Sequence, residues 1–221
     1  MASTDIDDLL APVFFLSYPQ DVVNRLPTVL PSEADRHVRQ FFEDLSAHVG
    51  ELLGSAVGEY PGFMEHTALS GESWGPDVLA AAGTCHVFVP LISRRYLASA
   101  WCAKEWDAFT RRSVTRRPVG SQSDWTAILP ITWSPTRDDE LPSAIKRLRF
   151  FSPVPRTRQH VDDQYQKNGV QGLLMQDEDS YRTLVWRLAR RVVDTYYSYQ
   201  VAPRIPADSS ELSESFRGDG E

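Results

Sequence analysis

The residues of this chain best equipped for chemistry stand together in "SAWCAKEW", residues 99–106, where Glu105 lies among Trp101, Cys102 and Trp106. A carboxylate in apolar surroundings can stabilise a cationic transition state, because the attraction strengthens where water is excluded. Trp101 precedes Glu105 by one helical turn, so on a helix the two share a face and an aromatic wall flanks the acid. The same residues also have a structural explanation. Glu105 can be a first-turn acid favoured by the helix dipole, or a partner for Arg94 or Arg95. Trp101 and Trp106 can form the buried face of an amphipathic helix, and Cys102 can be a small packed residue. Ser17 and Tyr18 close the apolar run "PVFFLSY" and are further candidates. Trp74, in "TALSGESWG", can staple its loop to the domain or stack on a ligand or a neighbouring subunit.

Placing these groups takes an alternating series of strands and helices. "PVFFLSY", residues 12–18, reads as a strand buried on both faces. After a loop with three prolines, "PSEADRHVRQFFEDLSAHVGELLG" predicts a helix with Ser32 as N-cap. Val38, Phe41, Phe42, Leu45, Val49, Leu52 and Leu53 form its apolar stripe, and Gly54 ends it. "GFMEH" predicts a brief second strand, and Pro76 opens a short alanine-rich helix through Ala82. "CHVFVPLIS", residues 85–93, is the clearest buried strand, and "SAWCAKEWDAFTRR" follows as a helix with Ser99 near its start. "TAILPITW" predicts a fourth strand, "LRFF" a fifth, and "SYRTLVWRLARRVVDTYYSYQ" a long closing helix with Leu184, Val185, Leu188, Val192 and Val193 inward.

This alternation implies an α/β protein, an open parallel five-stranded sheet with helices on both faces and right-handed crossovers. In such sheets ligands bind beyond the carboxyl ends of the strands near a topological switch point, where Ser17 and Tyr18 end the first strand. One domain is expected over residues 12–202, after an N-terminal tail at 1–11, with long loops at 111–124 and 152–179. The second loop is too polar for core and long enough for a lid. Residues 203–221 are acidic, Ser-rich and without periodicity, so they read as a disordered tail, and removing residues 205–221 is expected to leave the fold intact.

Composition narrows the function classes. The 221 residues, 42% hydrophobic, suffice for one main domain with a sizeable core. No run approaches the ~20 apolar residues of a membrane span, and the first dozen residues are acidic where a secretion signal is basic, so a cytoplasmic protein without membrane contact is expected. A net charge of −7 disfavours nucleic-acid binding, and Arg111, Arg112, Arg116 and Arg117 read as a solvated helix end that complements the dipole. Cys85 and Cys102 read as packed thiols, and five scattered histidines give no metal-ligand spacing. The glycines around Trp74 make no phosphate-binding fingerprint.

The order of elements, together with "FFLSY", the loop "MEHTALSGESW", the strand "HVFVPLIS" and "YLASAWCAKEW", resembles a TIR domain over residues 12 to 200, and within that family the bacterial TIR-like proteins of the FxsC type. The resemblance implies a flavodoxin-like TIR fold. It further implies cleavage of NAD⁺ at the nicotinamide–ribose bond, by hydrolysis or cyclisation, in bacterial immune or stress signalling. In that reading Glu105 is catalytic, Phe15, Ser17, Tyr18, Trp74 and Trp101 line the substrate site, and NAD⁺ is the substrate with no other cofactor and no metal. It also implies activation by self-association through the loop around residues 65–74, with another TIR or sensor protein as a further partner. The alternative from the same family is a scaffold module that recruits partners through that loop without chemistry. A phosphoacceptor receiver domain is set aside, because no acid directly follows "FFLSY".

Overall fold

The computed structural model describes residues 11–19, 33–55, 60–65, 76–117, 126–153 and 159–216. In chain order its elements are β1 (Phe14–Ser17), α1 (Glu33–Leu53), β2 (Gly62–Phe63), α2 (Pro76–Thr84), β3 (Val87–Ile92), α3 (Arg94–Leu97) and α4 (Ala100–Thr110). There follow β4 (Val114–Arg116), β5 (Ile131–Thr132), α5 (Ser143–Lys146), α6 (Gln159–Gln176), α7 (Glu178–Ser198) and β6 (Tyr199–Val201).

β1 and β3 are buried along their whole length and pair in parallel, from Phe14 opposite Val87 to Ser17 opposite Pro90. Side chains alternate across a strand, so such continuous apolar runs fill two cores at once. Phe14, Leu16, Val87, Val89 and Leu91 join the core shared with α1, α6 and α7. Phe15, Phe88 and Ile92 join the core shared with α2 and α4. Each fully buried Phe, Leu or Val contributes about 1.5–3 kcal/mol of transfer free energy, which outweighs what such short strand ladders supply. β2 and β5 flank this pair in parallel, giving the strand order β2-β1-β3-β5. β4 and β6 form a separate antiparallel ribbon. The architecture is therefore an α/β fold with a four-stranded parallel sheet covered by helices on both faces.

α1 buries Val38, Phe41, Phe42, Leu45 and Val49, the stripe its spacing predicts. It ends at Gly54, whose φ of 70° is the left-handed conformation that glycine tolerates without a Cβ clash. The predicted cap Ser32 lies outside the described residues.

Four expectations need correction. "LRFF" is not a strand; the Phe151 amide makes one bond to the Pro130 carbonyl at 3.0 Å, and its ring packs on Tyr165 at 6.3 Å. Exposed Arg149 interrupts what would be a short apolar run. The loop expected at 152–179 is largely α6, which buries Val161, Tyr165, Val170 and Leu173. Its stripe shifts phase between Tyr165 and Val170 because Gly169, at φ 66°, breaks the helix where its backbone meets Trp133. In the loop expected at 111–124, residues 114–116 are β4 and those from 118 lie outside the described residues.

The acidic tail is the third correction, since its described part, residues 203–216, is packed. The Arg204 amide donates to the Gly83 carbonyl at 2.9 Å, and Leu212 and Phe216 are only 5% and 6% exposed. Phe216 sits against Tyr96 and Trp106, with ring centroids at 5.4 and 6.0 Å. The Ser213 amide donates to Asp107 at 2.8 Å, and Lys104 pairs with Glu214 at 3.0 Å. Average composition reads as disorder here, but two apolar anchors suffice to dock the segment as a strap over α4. Fourth, Arg112 is not a solvated helix end. It is buried and donates to the carbonyls of Ala82, Cys85 and Ala202. Among the described residues no helix is long and apolar enough to cross a membrane.

Candidate functional site

Two serine caps shape the segment that carries Glu105. Ser93 accepts from the Tyr96 amide at 3.1 Å at the start of α3, and Ser99 accepts from the Cys102 amide at 3.2 Å at the start of α4. Both satisfy amides that a helix start would otherwise leave unpaired. α4 then buries Cys102, Ala103, Glu105, Trp106, Ala108 and Phe109 against the sheet.

Strand alternation decides where Ser17 points. It shares the parity of Phe15 along β1, so it faces α4 from the strand's carboxyl end. There the Ser17 hydroxyl donates to Glu105 Oε2, and Ser17 Oγ also lies 3.2 Å from the Tyr96 hydroxyl. Glu105 is 2% exposed, and Cys102 and Tyr96 are fully buried beside it. Arg94 does not pair with this acid; its Nε holds Glu140 Oε2 at 3.0 Å instead. Burial raises the Glu105 carboxyl well above the usual carboxylate range, with the charge of Glu65 adding to the shift and the Ser17 hydrogen bond opposing it. The resting group is therefore a protonated acid well above the pH at which an exposed glutamate ionises. Tyr96 and Cys102 are likewise pushed upward, first by burial, so both stay neutral beside the acid.

A second acid joins the cluster, and sequence reasoning missed it. Glu65 follows β2 at its carboxyl end, where its carbonyl accepts from the Tyr18 hydroxyl at 3.1 Å and its Oε2 from Trp101 Nε1 at 3.0 Å. A carboxylate just beyond a parallel strand, in "GFMEH", was the available signal. Ser17, Tyr18, Trp101 and Glu105 are thus brought together around Glu65. Phe15 is not part of this group. It is fully buried, stacked between Phe63 at 5.4 Å and Phe88 at 5.7 Å, and has no face left for a ligand. Trp74, and the loop around residues 65–74 beyond Glu65, lie outside the described residues.

Beyond the carboxyl ends of β1, β3 and β5 lies a cavity of about 250 Å³, lined by Tyr18, Asp35, Ser93, Arg95, Trp133 and Gln171 among others. The chain order along the sheet reverses between β1 and β3, so this is the topological switch point at which open α/β sheets bind ligands. Tyr18 lines the cavity and also reaches Glu65, linking the two regions. Among the described residues no group of His, Cys, Asp and Glu could hold a metal ion. What the arrangement offers chemically is a desolvated carboxyl with hydroxyl and indole donors nearby. A cation brought against it favours the ionised form and is in turn stabilised by it.

No family model, no curated protein and no solved structure matches this chain.

Proposed function

We propose that the chain is a TIR-type NAD⁺ glycohydrolase or ADP-ribosyl cyclase, with Glu105 as the catalytic residue. The observation that carries this reading is the desolvated Glu105 carboxyl, hydrogen-bonded to Ser17 at the carboxyl end of β1 beside the sheet's switch point. Nicotinamide bound to ribose carries positive charge and departs as a neutral base, so no general acid is needed. Glycosidases need a second carboxyl because their leaving oxygen must be protonated. One carboxylate therefore suffices to stabilise the oxocarbenium-like charge on the ribose. When the pyridinium cation comes alongside, the opposite charge lowers the Glu105 pKa and the carboxyl gives its proton to solvent water before the ribose charge develops. In this reading Tyr18 and Trp101, which both hydrogen-bond Glu65, border the substrate. In this reading the protein works in the cytoplasm in bacterial immune or stress signalling, and self-association through the loop around residues 65–74 opens the site.

The burial of Glu105 also favours a second reading, a TIR-like scaffold in which the carboxyl only packs α4 against β1. The test incubates purified protein with NAD⁺ at low and high protein concentration and quantifies nicotinamide. Release that rises more than proportionally with protein, and falls on the order of 10²-fold or more in Glu105→Gln, supports the enzyme. A folded wild type that releases none under any assembly condition establishes the scaffold reading.

A further inference from the structure

A cavity of about 510 Å³ opens between α4, α5 and the C-terminal strap, sharing no lining residue with the Glu105 cluster. Its size falls in the range of small-molecule sites, roughly 300–1,000 Å³, which are apolar with a few placed polar groups. Trp106, Phe109 and Ile128, all buried, and Leu148, half-buried, supply flat apolar walls.

The polar group is Arg112, which also lines the cavity and is 5% exposed. Its Nε donates to Ala202 O at 3.0 Å, and its Nη1 donates to Ala82 O at 3.1 Å and Cys85 O at 2.7 Å and lies 3.5 Å from Cys85 Sγ. Its Nη2 is buried with no hydrogen-bond partner among the described residues. All of these partners are neutral, so among the described residues the guanidinium has no counter-ion; Phe109 alone adds a ring face at 5.1 Å. A buried charge without an opposite charge is unfavourable, and native proteins leave few buried donors unpaired. Burial pulls the Arg112 pKa below its ordinary value, the direction expected of a cation denied an anion. The other charges at the cavity are either committed or cationic. Asp107 is held by Arg111 at 2.6 Å and by the Ser213 amide at 2.8 Å, while Arg147 is exposed at the rim with no ion pair among the described residues.

We propose that this cavity binds a small organic anion with a flat apolar body, such as an aromatic carboxylate, whose charge lies against the Arg112 guanidinium and Arg147 while its ring lies among Trp106, Phe109 and Leu148. The site is independent of NAD⁺ cleavage.

The experiment titrates the full chain with naphthoate by calorimetry, with the neutral naphthamide as its isostere. Arg112 also ties three carbonyls, so its removal risks unfolding, and two rim variants carry the test instead. Arg147→Glu reverses the charge at the rim, and Ala144→Phe fills the space from α5. Naphthoate should bind one equivalent at least about tenfold more tightly than naphthamide, the worth of a desolvated charge-assisted contact. Arg147→Glu should weaken naphthoate severalfold with little effect on naphthamide, and Ala144→Phe should abolish both at an unchanged melting temperature. Equal affinity for the two probes, naphthoate binding that survives Ala144→Phe, or no saturable naphthoate binding would overturn the proposal.

Discussion

Replacing Glu105 by glutamine should shift stability in the variant's favour as pH rises, so that the variant gains steadily on wild type. The carboxyl is 2% exposed, receives a hydrogen bond from Ser17 and lies near the like charge of Glu65. Its pKa in the fold is therefore raised above the unfolded value of about 4.3. The folded chain keeps a proton that the unfolded chain has released. Stability from this group is accordingly present in full below the unfolded pKa and is lost as pH rises toward the folded one, at about 1.4 kcal/mol per pH unit. Glutamine is neutral throughout and keeps an acceptor for Ser17, so it loses nothing over that interval. For a domain of this size 1 kcal/mol moves the melting temperature by about 2–4 °C, so the two melting curves should separate by about 3–6 °C per pH unit. The separation levels off once Glu105 ionises inside the fold. The extra amide N–H of glutamine adds a pH-independent offset of about 1–3 kcal/mol if it finds no acceptor, which makes the slope the readout and not the absolute difference. Scanning calorimetry of both proteins between about pH 5 and about pH 8 measures it directly. A gap that stays constant, or a wild type that gains on the variant as pH rises, would show an ionised, paired glutamate and refute the reasoning.

The docked strap predicts that Phe216→Ala costs about 3 kcal/mol, since a nearly fully buried ring against Tyr96 and Trp106 leaves a cavity behind; an unchanged urea midpoint would mean that the segment does not hold α4. Gly169→Ala should cost about 1–3 kcal/mol in thermal unfolding, because φ is 66° and an added Cβ would stand 2.5 Å from the Trp133 carbonyl oxygen. A melting temperature equal to wild type would show that the backbone break in α6 relaxes freely.

Much of the fold was legible because its signals are local. The unbroken apolar runs of β1 and β3, the helical stripe of α1, the Gly54 stop and the Ser99 cap are each decided within a few residues by strand parity, helical spacing or one hydrogen bond. The facing of Trp101 and Glu105 on α4 follows from the same spacing. What tertiary structure decided are the places where a residue's fate depends on a partner far along the chain. Ser17 and Glu105 are 88 positions apart, and no local rule says that the serine, not Arg94 or Arg95, takes the carboxyl. Arg112 looks like a solvated cation until the carbonyls of Ala82, Cys85 and Ala202 converge on it. Leu212 and Phe216 are too sparse to announce a core, and they gain one only because α4 offers a gap that fits them. Phe15 and Ser17 show both levels at once: strand alternation turns both toward α4, but only position along the sheet makes one of them core and the other a hydrogen-bond donor at its edge. Local patterning sets which elements form because it acts within a turn or a pleat, whereas the charge and burial of single groups are set by whatever packing brings beside them.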